Sequence, residues 1–283
     1  MKKIIFGILV FIGGVLTISA CKGKASELQH ETLRYEIIEK WELPNALNEV
    51  SGIAWIGDNR VACVQDEDGI IFIYNLKTST KEKEIEFGTG GDYEGIAVVG
   101  KDAYVLRSDG IILEVSGYLE ENPQVQRHVT SISQLPGINI EGLCADPVNN
   151  RLLLAMKERK DFNEYKEVYA FDLNNKASAE NAIFSIDLSD PIFKNVDEKL
   201  TEKFTPGEMN IHPITGEFFI LDGTRPKLLI TENDGRPKEL FMLNLEDFSN
   251  PEGLTFSPEG ELYISNEAED GPANILKVSF NRN

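Results

Sequence analysis

Cysteine and histidine are scarce in this chain, with three of each among 283 residues. Cys21, Cys63 and Cys144 are too few to staple a scaffold with disulfides. His30, His128 and His212 are not spaced with one another, or with a cysteine, like zinc ligands. Basic residues are also few: 28 against 47 acidic ones, for a net charge of −19. Such a chain is repelled by a phosphate backbone, which excludes nucleic acid as a partner. The same excess draws metal cations and cationic partners. No G-x-S-x-G elbow and no phosphate-cradling G-x-x-x-x-G-K-[ST] loop occurs, and Gly88-Thr89-Gly90-Gly91 lacks the lysine. There is one long apolar run. Lys2 and Lys3 precede it, and it ends in Ile18-Ser19-Ala20-Cys21. This is the order of a secretory signal, and the run is shorter than the roughly 20 residues of a membrane span.

The cysteine after two small residues resembles a bacterial lipobox. That resemblance implies cleavage before Cys21 and a lipid anchor on Cys21, which would tie the protein to a membrane of the bacterial cell envelope. An ordinary secretory signal with an incidental cysteine is the plainer reading. On the lipoprotein reading, residues 1–20 are a signal peptide, 21–31 a tether and 32–283 the folded domain. Cys63 and Cys144 lie in apolar runs and read as small buried hydrophobes.

The rest of the chain repeats. Ser51-Gly52-Ile53, Glu94-Gly95-Ile96, Glu141-Gly142-Leu143, Gly207-Glu208-Met209 and Glu252-Gly253-Leu254 each open a strand. Each strand is followed by a Gly, Pro or Asn turn and a second strand. The repeat starts are 43, 47, 66 and 45 residues apart. A period in the forties with three or four short strands is the pattern of propeller blades. The long interval holds an insertion, in which residues 197–203 could form a short helix. The pattern predicts an all-β fold, a single β-propeller of five blades. A sixth blade hidden in the insertion is the alternative. Only 32 residues remain from the last repeat start, Glu252 included, so residues 32–41 are expected to supply the last blade's outer strand and close the ring.

In a blade of this kind the first strand lines the channel and the second returns antiparallel. Residues before the first strand and after the second therefore share one rim. Asp92, Glu94, Glu141, Glu252, Asp109, Asn266 and Glu267 gather there as candidate metal ligands. Taken singly, each reads as a solvated loop acid. As a ring they would repel one another, and a hard cation is the natural compensation. Calcium, which takes six to eight oxygens, suits the set. Arg107, Lys157 and Arg225 reach the same rim. They pair with neighbouring acids, or they form an anion site beside a metal.

Several stretches carry a family likeness: Asp92-Tyr93-Glu94-Gly95-Ile96-Ala97, Asn139-Ile140-Glu141-Gly142-Leu143, Ile211-His212-Pro213, Asn250-Pro251-Glu252-Gly253-Leu254 and Leu262-Tyr263-Ile264-Ser265-Asn266-Glu267. Over about residues 35–280 the chain resembles the SdiA-regulated, YjiK-like family of bacterial envelope β-propellers. The resemblance implies a propeller, calcium binding and relatedness in fold to β-propeller phytases. Gly207-Glu208-Met209 departs from the family pattern and shifts the fourth acid. Two function classes follow. One is a lipid-anchored, calcium-binding module with a protein or small-molecule ligand at the acidic mouth. The alternative is a metal-dependent phosphoester hydrolase of phytase type.

Overall fold

Each repeat of the sequence folds into one antiparallel sheet, and five such sheets stand around an axis. The computed structural model describes residues 34–160, 164–193, 204–269 and 271–282. The signal, the tether, Cys21 and the 197–203 segment lie outside the described residues.

Blade one comprises Val50–Gly57, Arg60–Gln65, Ile70–Asn75 and Thr80–Glu86. Blade two comprises Tyr93–Val99, Asp102–Arg107, Ile111–Ser116 and Gln124–Val129. Blade three comprises Ile138–Asp146, Arg151–Arg159 and Tyr165–Asp172, whose edge is shared by two short strands, Ala177–Ser178 and Phe184–Asp187. Blade four comprises Glu208–Ile211, Phe218–Asp222, Lys227–Thr231 and Pro237–Met242. Blade five comprises Pro251–Phe256, Leu262–Asn266 and Asn274–Phe280. The expected five-bladed all-β propeller is thus what the chain forms. Part of the long interval is taken up by blade three's two short edge strands and by a single turn of 3-10 helix at Pro191–Phe193.

Tyr35–Glu42 pairs antiparallel with Asn274–Phe280 as blade five's outer strand, so the two ends of the chain close the ring. A register shift between Ile37 and Glu39 leaves Ile38 unpaired and half exposed, while Tyr35 and Trp41 are buried. The Tyr35 hydroxyl donates to Asp247 at 3.0 Å and accepts from the Asn244 amide at 3.1 Å, which ties the closing strand to blade four's exit loop.

Side chains alternate across each strand, so every blade offers an apolar face to both neighbours. The result is five apolar layers, one per seam between blades. Polar pairs sit at the edges of these layers. Lys176 of blade three donates to Glu114 (2.6 Å) and the Tyr104 hydroxyl (2.9 Å) of blade two, and Glu114 also meets His128 Nε2 at 2.7 Å. Arg282, near the C-terminus, makes a two-pronged pair with Glu217 of blade four at 2.6 and 2.8 Å. Cys63 and Cys144 are buried and free, and burial pushes both thiols up.

The innermost strands meet in cyclic order, and their approach depends on glycine. A Cβ on Gly52 would stand 2.7 Å from Gly95 Cα, and one on Gly253 would stand 2.5 Å from the Ser51 carbonyl. Blade four has glutamate at that position. Glu208 is fully buried and accepts from the Leu143 amide of blade three at 2.8 Å and from the Met209 amide at 2.7 Å. The shifted acid thus bridges a seam, and burial together with the charges of Glu141 and Glu94 raises its carboxyl.

Candidate functional site: the acidic channel mouth

Three acids are aimed by the same local device. Glu94 falls at a register shift between Tyr93 and Gly95, Glu141 between Ile140 and Gly142, and Glu252 between Pro251 and Gly253. A bulge turns one residue out of the ladder and re-aims its side chain. Here that residue is the acid before the glycine in each of three inner strands. Blade one carries Ser51 at this position and blade four carries Gly207. Both the Glu141 and the Glu252 carboxylates lie within 3.7 Å of where a Gly207 side chain would begin, so the missing side chain leaves room between them.

These carboxylates sense one another. Burial first, then Glu141, Asp92 and Glu252, push Glu94 up to about 9. Burial, Glu141, Asp222 and Asp66 hold Glu252 at about 7 against the pull of Lys157. Burial raises Glu141, although Lys157 and Asn139 oppose it. Glu267 rises to about 8 through burial and the charges of Glu252, Glu49 and Asp66. Acids distant along the chain therefore share one opening.

A cation stands among them. Lys157 Nζ lies 2.6 Å from Glu141 Oε2. Burial pulls the Lys157 ammonium down, but Glu141, Glu252 and Glu94 outweigh burial and hold it up. The expected compensation is thus supplied in part by the protein's own side chain. Of the other rim cations, Arg107 is clamped on Asp109 at 2.9 and 2.5 Å, and the Arg225 carbonyl accepts from Lys227 at 3.0 Å.

The predicted ligands divide accordingly. Glu94, Glu141 and Glu252 form the inner group. Asp92, exposed and bonded to the Ser108 hydroxyl, and Glu267, bonded to Asn250, lie at its rim. Asp109 is turned toward Arg107, which lowers its carboxyl. Asn266 is fully buried and donates to Asn274 at 2.9 Å. Asp66 and Glu49 also belong to the rim; their place after a second strand and before a first one is the signal that finds them. Asp222 lies deeper and is neutralised by Lys227 at 2.7 Å and by two hydrogen bonds from Thr205.

The donor set fits a hard cation in kind. Among the described residues, the buried side-chain oxygens that receive no hydrogen-bond donor include Asp66 Oδ1, Asn139 Oδ1 and Asn266 Oδ1. Among the described residues, no three His, Cys, Asp or Glu side chains stand already arranged around an ion position. An incoming ion would have to displace the Lys157 ammonium from Glu141.

The raised acids fix the sign of a pH response. Glu94 binds its proton more tightly folded than unfolded, so stability is highest below about pH 4.5 and is lost as pH rises through about 9. Melting temperature is expected to fall between pH 5 and pH 9. Glu94→Gln should flatten that fall, and an unchanged slope in the variant would place Glu94 outside the cluster.

No family model matches the chain, and no curated protein matches it. Solved structures do. Glutaminyl cyclase of Myxococcus xanthus aligns with a TM-score of 0.60 at 14% identity, over 87% of this chain and 95% of that one. A structural genomics protein of unknown function from Bacteroides thetaiotaomicron gives 0.54 at 13% identity, over 87% and 76%. The PQQ-bound aldose sugar dehydrogenase of Streptomyces coelicolor gives 0.53 at 11% identity, over 87% and 97%. These neighbours are β-propeller-type folds, and at such identities the likeness is one of fold.

Proposed function

We propose that this chain is a lipid-anchored propeller of the bacterial cell envelope, of the SdiA-regulated, YjiK-like kind, whose acidic mouth binds a cation, calcium first. The supporting observation is the convergence of Glu94, Glu141 and Glu252 on one buried opening, with the Lys157 ammonium among them. Those three carboxylates would hold the ion once Lys157 withdraws, with Glu267 and Asp92 at the rim. Bound there, calcium would offset two of the mouth's negative charges and offer an oxygen-seeking contact to a protein or small-molecule ligand.

A second reading has its own support. Lys157 shows that the cluster accepts a primary ammonium, so the natural ligand could be an amine rather than a metal. The phosphoester-hydrolase alternative needs a cationic clamp free to meet substrate. Arg107 and Lys157 are both engaged by carboxylates, which supports the binding readings over it.

Calcium is expected to raise the melting temperature of the full chain by several degrees, and chelator should reverse the rise. A melt moved by methylammonium and untouched by calcium selects the amine reading. Phosphate release from phytate that Glu141→Gln abolishes selects the hydrolase. The anchor is tested separately: labelled palmitate should be incorporated by bacteria expressing the chain and not by those expressing Cys21→Ala. Equal labelling would remove the lipid proposal.

A further inference from the structure

The chain enters the ring at the end opposite the acids. The five inner strands start at the acidic mouth and run to the turns at 58–59, 100–101, 147–150, 212–217 and 257–261. In blade five, Asn274–Phe280 runs in the same direction, pairing Tyr35 with Phe280 and Glu42 with Asn274. Tyr35 therefore lies at the far end, and so does Arg34, whose carbonyl accepts from the Asn281 amide. Twelve residues separate Arg34 from Cys21. A fully extended chain of that length spans about 40 Å at most. A lipid on Cys21 would thus pull on the far end of the propeller.

That end carries apolar tips. Val148 is 91% exposed and Ile214 69%, the two highest values for large apolar side chains among the described residues. Leu245, next in exposure, stands alone at the mouth end. Val148, Pro147, Pro213 and Pro258 border one cavity of about 440 Å³, and Ile214 reaches to 3.4 Å from where a Gly260 side chain would begin. The tips of blades three, four and five are thus neighbours. Each is held out by a turn that satisfies its own polar groups. Asp146 accepts from the Asn149 amide and side chain at 3.3 and 2.7 Å and from Arg151 at 2.8 Å. His212 Nδ1 accepts from the amides of Ile214 and Thr215 at 3.3 and 3.1 Å. Such turns can enter an apolar medium without stranding backbone donors. Acids at this end stand against bases: Asp58 against Arg60 at 3.1 Å, Glu120 against Lys101 at 3.6 Å and Glu261 against Lys277 at 2.6 Å. The mouth, crowded with carboxylates, is the end that anionic lipid repels.

We infer that this end of the propeller, led by Val148 and Ile214, docks on the lipid surface that holds the anchor, with the acidic mouth turned away from it. Once the chain is tethered, docking is an intramolecular step, so two apolar tips suffice as the second contact. The inference rests on the lipid anchor proposed for Cys21 and is independent of the cation.

The test uses three variants of the full chain: Val148→Trp, Ile214→Trp and, on an exposed turn at the mouth end, Asp68→Trp. All three sites lie on exposed turns, so the core is untouched. Each variant is expressed in bacteria fed labelled palmitate. The purified chain is placed in vesicles of phosphatidylethanolamine and phosphatidylglycerol, with and without brominated acyl chains. The parent, with Trp41 and Trp55, sets the background. Brominated lipid should quench the added tryptophan of Val148→Trp and Ile214→Trp by about half, and that of Asp68→Trp about threefold less. Val148→Asp added to the Ile214→Trp chain should cut its quenching about twofold. A chain that takes up no palmitate removes the anchor, and this inference with it. A palmitate-bearing chain whose three tryptophans are quenched alike, or not at all, overturns the inference alone and leaves the apolar tips to a protein partner. Quenching of Ile214→Trp that Val148→Asp leaves unchanged would overturn it as well.

Discussion

Valine in place of Gly95 is expected to destabilise the ring by about 3–5 kcal/mol and to lower the melting temperature by about 10 °C. A Cβ there would lie 2.7 Å from Leu143 Cβ, 2.9 Å from the Glu141 carbonyl and 3.2 Å from the Leu143 amide. Two of those three atoms are backbone of blade three's inner strand and cannot rotate away. Relief requires the two blades to part, and parting opens the apolar layer between them. Gly95 is absent from the left-handed region of backbone space. Its role is close approach, whereas the sequence alone also allows a left-handed turn at this glycine. Gly271→Ala is the control, since no atom lies within 4 Å of the added carbon. Urea denaturation of both variants checks the prediction, and equal stability of Gly95→Val and the parent would remove the inner strands from contact.

Lys157→Met should show the second large effect, and its sign depends on pH. The substitution leaves Glu141, 5% exposed, without its cation. Removing one partner of a buried ion pair costs about 3 kcal/mol where the other stays ionised. Glu94 and Glu252 also lose the charge that restrained them. All three carboxyls then hold protons more firmly in the folded state, so stability falls more steeply as pH rises. Denaturation at pH 8 should reveal most of the loss, and denaturation at pH 5 little of it. Calcium should bind about tenfold tighter to the variant, because the competing ammonium is gone. An equal loss of stability at both pH values would mean that Lys157 acts by packing, and unimproved calcium affinity would mean that it does not compete.

Much of the architecture is legible in the sequence. The acid-glycine pairs mark bulges where inner strands are both re-aimed and pressed together, so one dipeptide reports both the period and the rim. The closing strand was legible from Tyr35 and Trp41, but the outward turn of Ile38 was not, because a bulge inserts a residue that periodicity cannot foresee. Glu208 shows the limit more sharply. Its one-residue shift is visible in sequence, yet its bond to the Leu143 amide crosses a seam between segments 65 residues apart. Lys157 was visible as a rim cation and could be read two ways. Its ion pair with Glu141 is fixed by a pairing between neighbouring strands. The cavity of about 440 Å³ at the far ends of the inner strands left no sequence signal, because its wall is assembled from a few ordinary residues of each of five strands.

The central claim is that carboxylates from separate blades act as one cation site. Calorimetric titration of the full chain with calcium at pH 8, in two buffers of different protonation enthalpy, addresses it directly. One ion should bind per chain with release of protons from the mouth, and Glu252→Gln should weaken binding at least tenfold. Absence of binding, or binding that Glu252→Gln and Glu94→Gln leave unaltered, would contradict it.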